Sequence, residues 1–96
     1  MNITGYLDEA YNEENTKKII ITVLPSEIDK IKKRWGDFTM PIFNGYVIIN
    51  LKSEKNFTGL FNQKKIFHCK IQKYFLPEKN KWYKKLVLDY MESPTI

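Results

Sequence analysis

The stretch from Lys65 to Met91 constrains the fold more than any other part of the chain. "KIFHCKIQKYF" and "KWYKKLVLDYM" flank the break "LPEKN", and apolar residues recur at every second position for most of both arms. In the first arm Phe67, Cys69, Ile71 and Phe75 share one parity, and His68, Lys70, Gln72 and Tyr74 take the other. In the second, Trp82, Leu86, Leu88 and Tyr90 share a face, opposite Tyr83, Lys85, Val87 and Asp89. Successive side chains of a strand point to opposite faces. The alternation therefore predicts a hairpin with one face on a core and one in water, and it assigns Phe75 and Trp82 to the core side.

The rest of the chain supplies partners for that hairpin. "NITGYLDEAY" sets Ile3, Gly5 and Leu7 on one parity and predicts a first strand; "NEENT" is a polar turn. "KKIIITVL" is apolar on both faces, with Ile19, Ile21 and Val23 on one and Ile20 and Leu24 on the other. It predicts a central, well-covered strand hairpinned to the first. "PSEIDKIKKRWG" predicts a helix. Ser26 is placed to cap its first turn, with Asp29 returning the bond. Ile28, Ile31 and Trp35 make one apolar stripe. Glu27 and Asp29 at the start, and Lys32, Lys33 and Arg34 at the end, suit the helix dipole, and Gly36 stops it. "DFTMPIFNG" is irregular around Pro41, "YVIINLKS" is a strand with Val47, Ile49 and Leu51 on one face, and "EKNFTGLFNQ" is a loop in which Phe57 and Phe61 flank Gly59. Residues 92–96, "ESPTI", form a frayed tail. The expected fold is mainly β with one helix (α+β): about five antiparallel strands in a small curled sheet or partly open barrel. All 96 residues fit one compact domain.

Chemistry is sparse. Cys69 is the only cysteine, so no intrachain disulfide forms, and a reducing, cytoplasmic setting is the simplest expectation. His68 is the only histidine and points away from its neighbour Cys69, so the two make neither a nucleophile–base pair nor a structural zinc site. Asp8/Glu9 and Glu13/Glu14 read as solvated turn charges, and the four glycines form no phosphate loop. No enzyme, cofactor or metal is expected. No run of about 20 apolar residues is present, and the acidic start "MNITGYLDEAY" lacks signal-peptide character, so no membrane association is expected.

Charge is the feature with functional content. Residues 1–16 carry four acids and no base, whereas Lys64 to Lys85 hold eight lysines and one acid, a local +7 in a chain of net +5. Such a field draws anionic partners without bearing on the fold. Lysines woven with aromatic residues are what a single-stranded nucleic acid requires, because phosphates need cations and unpaired bases need flat faces to stack on. The candidate residues are Lys70, Lys73, Tyr74, Lys79, Lys81, Tyr83, Lys84 and Lys85, with Tyr46 and Lys52 on the outward parity of the preceding strand. Lys70, Lys73, Lys79, Lys81, Lys84 and Lys85 would neutralise phosphates, and Tyr74 and Tyr83 would stack bases. The competing reading is a lysine-rich solubilising surface with a tyrosine pair that merely stabilises the hairpin.

"GYVIINLKS" followed by "KIFHCKIQKYFLPEKNKWYKKLVLDYM" resembles small OB-fold single-stranded DNA-binding proteins of phages and mobile elements, over about half the chain. The resemblance implies an OB-like barrel, with "LPEKNK" as the loop that clamps nucleic acid. OB folds place their helix between the third and fourth strands, whereas here the helix follows the second. Either the first hairpin hides another strand, or "DFTMPIF" adds one after the helix, or the fold is a different one. A second expectation is a protein-interaction module, an inhibitor or accessory subunit whose basic end covers an acidic patch on its partner, or whose Asp8, Glu9, Glu13 and Glu14 imitate phosphates. "IIITVL" is either buried or paired with another chain, which leaves homo-oligomerisation open.

Overall fold

The computed structural model describes residues 1–13, 16–36, 42–52 and 61–93. Among these residues six strands and one helix follow in order: β1 (Asn2–Glu13), β2 (Thr16–Val23), α1 (Pro25–Trp35), β3 (Ile42–Phe43), β4 (Tyr46–Leu51), β5 (Lys64–Leu76) and β6 (Lys81–Glu92). β1 pairs antiparallel with β2 and β5, β2 with β4, and β5 with β6; β4 and β6 run parallel through Asn50↔Val87 and Leu51↔Leu88. The pairings return on themselves and close a five-stranded barrel of β1, β2, β4, β6 and β5. The fold is mainly β with one helix and has the expected small OB-like barrel of five strands. Closure, which the sequence left open, is complete, and one expectation changes, since the sheet is mixed rather than wholly antiparallel. Closure removes the unpaired edges that an open sheet would present.

The alternation places the core. Ile3, Leu7, Ile19, Ile21, Val47, Ile49, Phe67, Cys69, Leu86 and Leu88 point inward and are buried with Ile31 and Trp35 of α1. β2 has a neighbour on each side within the chain, which accounts for the apolar "IIITVL"; Ile20 lies on the outer face opposite Ile48, half-buried. Two bulges bend the strands. Asp8 is the extra residue between Leu7 and Glu9, and Asp89 the extra residue between Leu88 and Tyr90. An extra residue kinks a strand and increases its twist, which suits a small barrel. Gly5 is the close approach: a Cβ there would lie 2.6 Å from the Thr22 carbonyl oxygen.

α1 begins at Leu24, which takes the cap position with Pro25 behind it; Ser26 makes no capping bond, so the expected Ser26–Asp29 cap does not form. Glu27 ties the helix to the barrel instead: its Oε2 accepts from the Thr4 N–H at 3.3 Å and from Lys30 at 2.8 Å. Gly36, with φ 79°, ends the helix as expected. β3 is the strand that "DFTMPIF" was able to supply, but it is only an annex. Ile42–Phe43 turn back through Asn44–Gly45, both at positive φ, to pair with Tyr46 and Val47. The helix therefore still follows the second barrel strand. Residues 57 and 59 and the tail beyond 93 lie outside the described residues. Glu92, expected in that tail, belongs to β6, and Ser93 accepts from Lys65 at 2.8 Å.

Candidate nucleic-acid interface

β5 and β6 outrun the barrel. β1 pairs with β5 only up to Asn2↔His68, extended by reciprocal bonds between Met1 and Cys69, and β4 meets β6 only at Val87 and Leu88. Among the described residues, Ile71–Leu76 and Lys81–Leu86 therefore ladder only with each other and form a two-stranded arm. Six pairs at the usual strand rise give an arm of roughly 20 Å, in a molecule 45 × 29 × 22 Å. The tip is Pro77–Asn80, where Lys79 and Asn80 donate to the carbonyls of Leu76 and Pro77 and Asn80 takes φ 50°.

A free ribbon has two usable faces, and the sequence-derived candidates divide between them. The outer face carries Lys70, Gln72 and Tyr74 from β5, and Lys81, Tyr83 and Lys85 from β6. Tyr74 and Tyr83 stack at 6.0 Å, with Lys85 over the Tyr74 ring at 5.3 Å and Lys79 over the Tyr83 ring at 5.9 Å. At the barrel end of the arm Val87 pairs beside Asn50 and is itself buried, and β4 carries the exposed Tyr46, with the exposed Lys52 just past its end. Asp89 bridges the junction, accepting from Lys52 at 2.6 Å with Lys70 at 3.8 Å. The bond from Lys52 and the two cations hold the Asp89 carboxyl below its usual range.

The inner face carries Lys73 and Lys84 opposite each other, then Phe75 opposite Trp82. Here the assignment of Phe75 and Trp82 to the core is corrected. Among the described residues, no strand or helix covers this parity at the level of Phe75 and Trp82, and Trp82 is 70% exposed and Phe75 41%. Their rings meet at 5.4 Å, tilted by 50°. The sequence signal was the pair Lys73 and Lys84, which interrupts the apolar parity where the arm leaves the barrel. Lys84 has a second duty: its Nζ donates to the Trp35 carbonyl at 2.8 Å, at the negative end of α1.

The bulge at Asp89 corrects Tyr90 as well. It turns Tyr90 to the outer face, where the ring stacks on His68 at 4.1 Å while His68 Nε2 lies 2.7 Å from Glu92 Oε1. His68 and Cys69 do point to opposite faces, and burial pushes the Cys69 thiol up to about 12. Among the described residues no cluster of His, Cys, Asp and Glu side chains is placed to hold a metal ion, and no helix is long and apolar enough to cross a membrane. No protein-family model, curated protein or solved structure matches the chain.

Proposed function

We propose that the protein binds single-stranded nucleic acid, DNA in preference to RNA, with little sequence selectivity and without catalysis. In this reading it is an OB-like binding protein of the kind that phages and mobile elements carry, acting in the cytoplasm. The observation that carries the proposal is the arm: a lysine-rich ribbon bearing exposed and half-exposed aromatic rings, projecting from a closed barrel. A hairpin kept only for stability has no need of four aromatic rings beyond the core it serves. Lys70, Lys79, Lys81 and Lys85 line the outer face as phosphate partners, Tyr74 and Tyr83 offer ring surface, and Tyr46 and Lys52 extend the track over β4. The test is titration of a labelled oligothymidylate at two salt concentrations. Binding is expected at low salt and weakens steeply as salt rises, because neutralised phosphates release their counterions. No binding at low salt rejects the reading.

A protein-interaction role is the second reading, favoured by the exposure of Asp8 and Glu9 on β1 toward the end opposite the arm tip. Loss of a partner from pull-downs by Asp8→Lys/Glu9→Lys, with unchanged oligonucleotide binding, supports it.

A further inference from the structure

We infer that the inner face of the arm is a second strand-binding subsite, in which an unpaired base stacks on the Trp82 indole and its phosphate meets Lys73. The inference rests on the nucleic-acid reading above and extends it to a face that the alternation of the sequence had assigned to the core. On the outer face Tyr74 and Tyr83 are already stacked on each other, and each carries a lysine over its ring, so much of their π surface is occupied. Trp82 is different. It touches Phe75 at a tilt rather than face to face and remains the most exposed large apolar side chain among the described residues.

An open groove of about 420 Å³ runs beside it, lined by Lys73, Trp82, Tyr83 and Lys84. A flat ring next to a cation, in a groove open to solvent, matches one nucleotide: the base takes the indole face and the phosphate the ammonium. Charge decides between this occupant and others of apolar character. A second copy docking arm against arm would set two equally lysine-rich surfaces opposite each other, which is unfavourable, and its acidic end around Asp8 and Glu9 brings charge but no matching row of flat rings for the indole. A polyanion with aromatic bases is complementary to both the lysines and the indole. A strand that used both faces would wrap the ribbon rather than lie along it.

The two tryptophans make the test direct, because Trp35 is 1% exposed and Trp82 70%. Oligothymidylate is titrated at low salt while tryptophan emission and its quenching by acrylamide are followed. Binding is expected to quench the emission and to shield the acrylamide-accessible fraction. Trp82→Phe should abolish that quenching, and Trp82→Ala should weaken binding between about fivefold and about a hundredfold. Tyr74→Ala should weaken binding while leaving the quenching in place. Oligonucleotide binding with unchanged Trp82 emission and an unaffected Trp82→Ala variant overturns the subsite but leaves the nucleic-acid reading standing. Absence of binding by the parent protein removes both. Equal quenching by poly-glutamate overturns the nucleotide assignment in favour of an acidic polypeptide. Trp82 lies outside the core cluster, and an unchanged melting temperature in each variant separates binding from folding.

Discussion

Cys69 shows how a single position couples packing to solution behaviour. Its side chain is buried inside the barrel wall, and desolvation is the main reason that its thiol rises from 9.0 to about 12. The thiolate is the reactive form, so the folded protein should react slowly with alkylating reagents at neutral pH and quickly once unfolded. The same shift has a thermodynamic sign. Below pH 9 the thiol is neutral in both states; between 9.0 and about 12 only the unfolded chain loses the proton, so stability falls as pH rises across that window. The slope from one such group is at most about 1.4 kcal/mol per pH unit. Chemical denaturation from pH 7 to pH 11 should therefore show a steeper alkaline loss for the parent protein than for Cys69→Val. Parallel curves would mean that the thiol is not shielded.

At the scale of elements, the arm depends on how its root is anchored. Lys84 is half-buried and donates to the last carbonyl turn of α1, whereas Lys79 stands exposed at the tip. Both look alike in sequence. A charged hydrogen bond at a helix C-terminus stabilises by about 1–2 kcal/mol, and a surface lysine contributes within about 0.5 kcal/mol. Lys84→Ala should therefore lower stability in urea by about 1–2 kcal/mol and Lys79→Ala should not; equal effects would show that the Lys84 bond is unimportant. The contrast also marks what could be read from the chain. Strand positions, the helix stripe of Ile31 and Trp35, and the Gly36 stop were legible, because burial imposes a period of two on strands and 3.6 on helices. Barrel closure was not, since β4–β6 pairing joins parallel strands from distant parts of the sequence and no local pattern encodes it. Tyr90 was misplaced because a bulge shifts parity by one, and a bulge residue such as Asp89 has no distinctive composition. Phe75 and Trp82 were assigned to a core because parity reports which face a residue takes, not where the covering element ends. Tyr74, Tyr83, Lys70 and Lys85 were placed together on one face as expected, whereas Lys73 and Lys84 lie on the other.

For the whole molecule, charge distribution sets what a binding measurement should read. β1 and β5 are antiparallel, so the acids Asp8 and Glu9 lie toward the barrel end away from the arm tip, and the field is positive mainly along the arm. Not every arm lysine is equally available. Lys84 is held by the Trp35 carbonyl, and Lys52 and Lys70 share Asp89. Lys73, Lys79, Lys81 and Lys85 have no carboxylate partner among the described residues. Four phosphate contacts on a single strand give a slope of log K against log salt of about −3, at roughly −0.7 per contact. Asp89→Asn releases Lys52 and Lys70 and should tighten binding at low salt and steepen that slope by about 1. The held carboxylate supports folding above the ordinary carboxylate range and loses that role as pH falls through its lowered value. The variant should accordingly differ least from the parent in strongly acidic solution. Reversing Asp8 and Glu9 to lysine, by contrast, should speed association through long-range attraction yet leave the slope nearly unchanged, because those side chains sit away from the track. Oligonucleotide titrations at four salt concentrations, run on the three proteins side by side, distinguish these outcomes. A flat slope in the parent, or an Asp89→Asn variant that binds more weakly, would show that the strand does not follow the lysines of the arm.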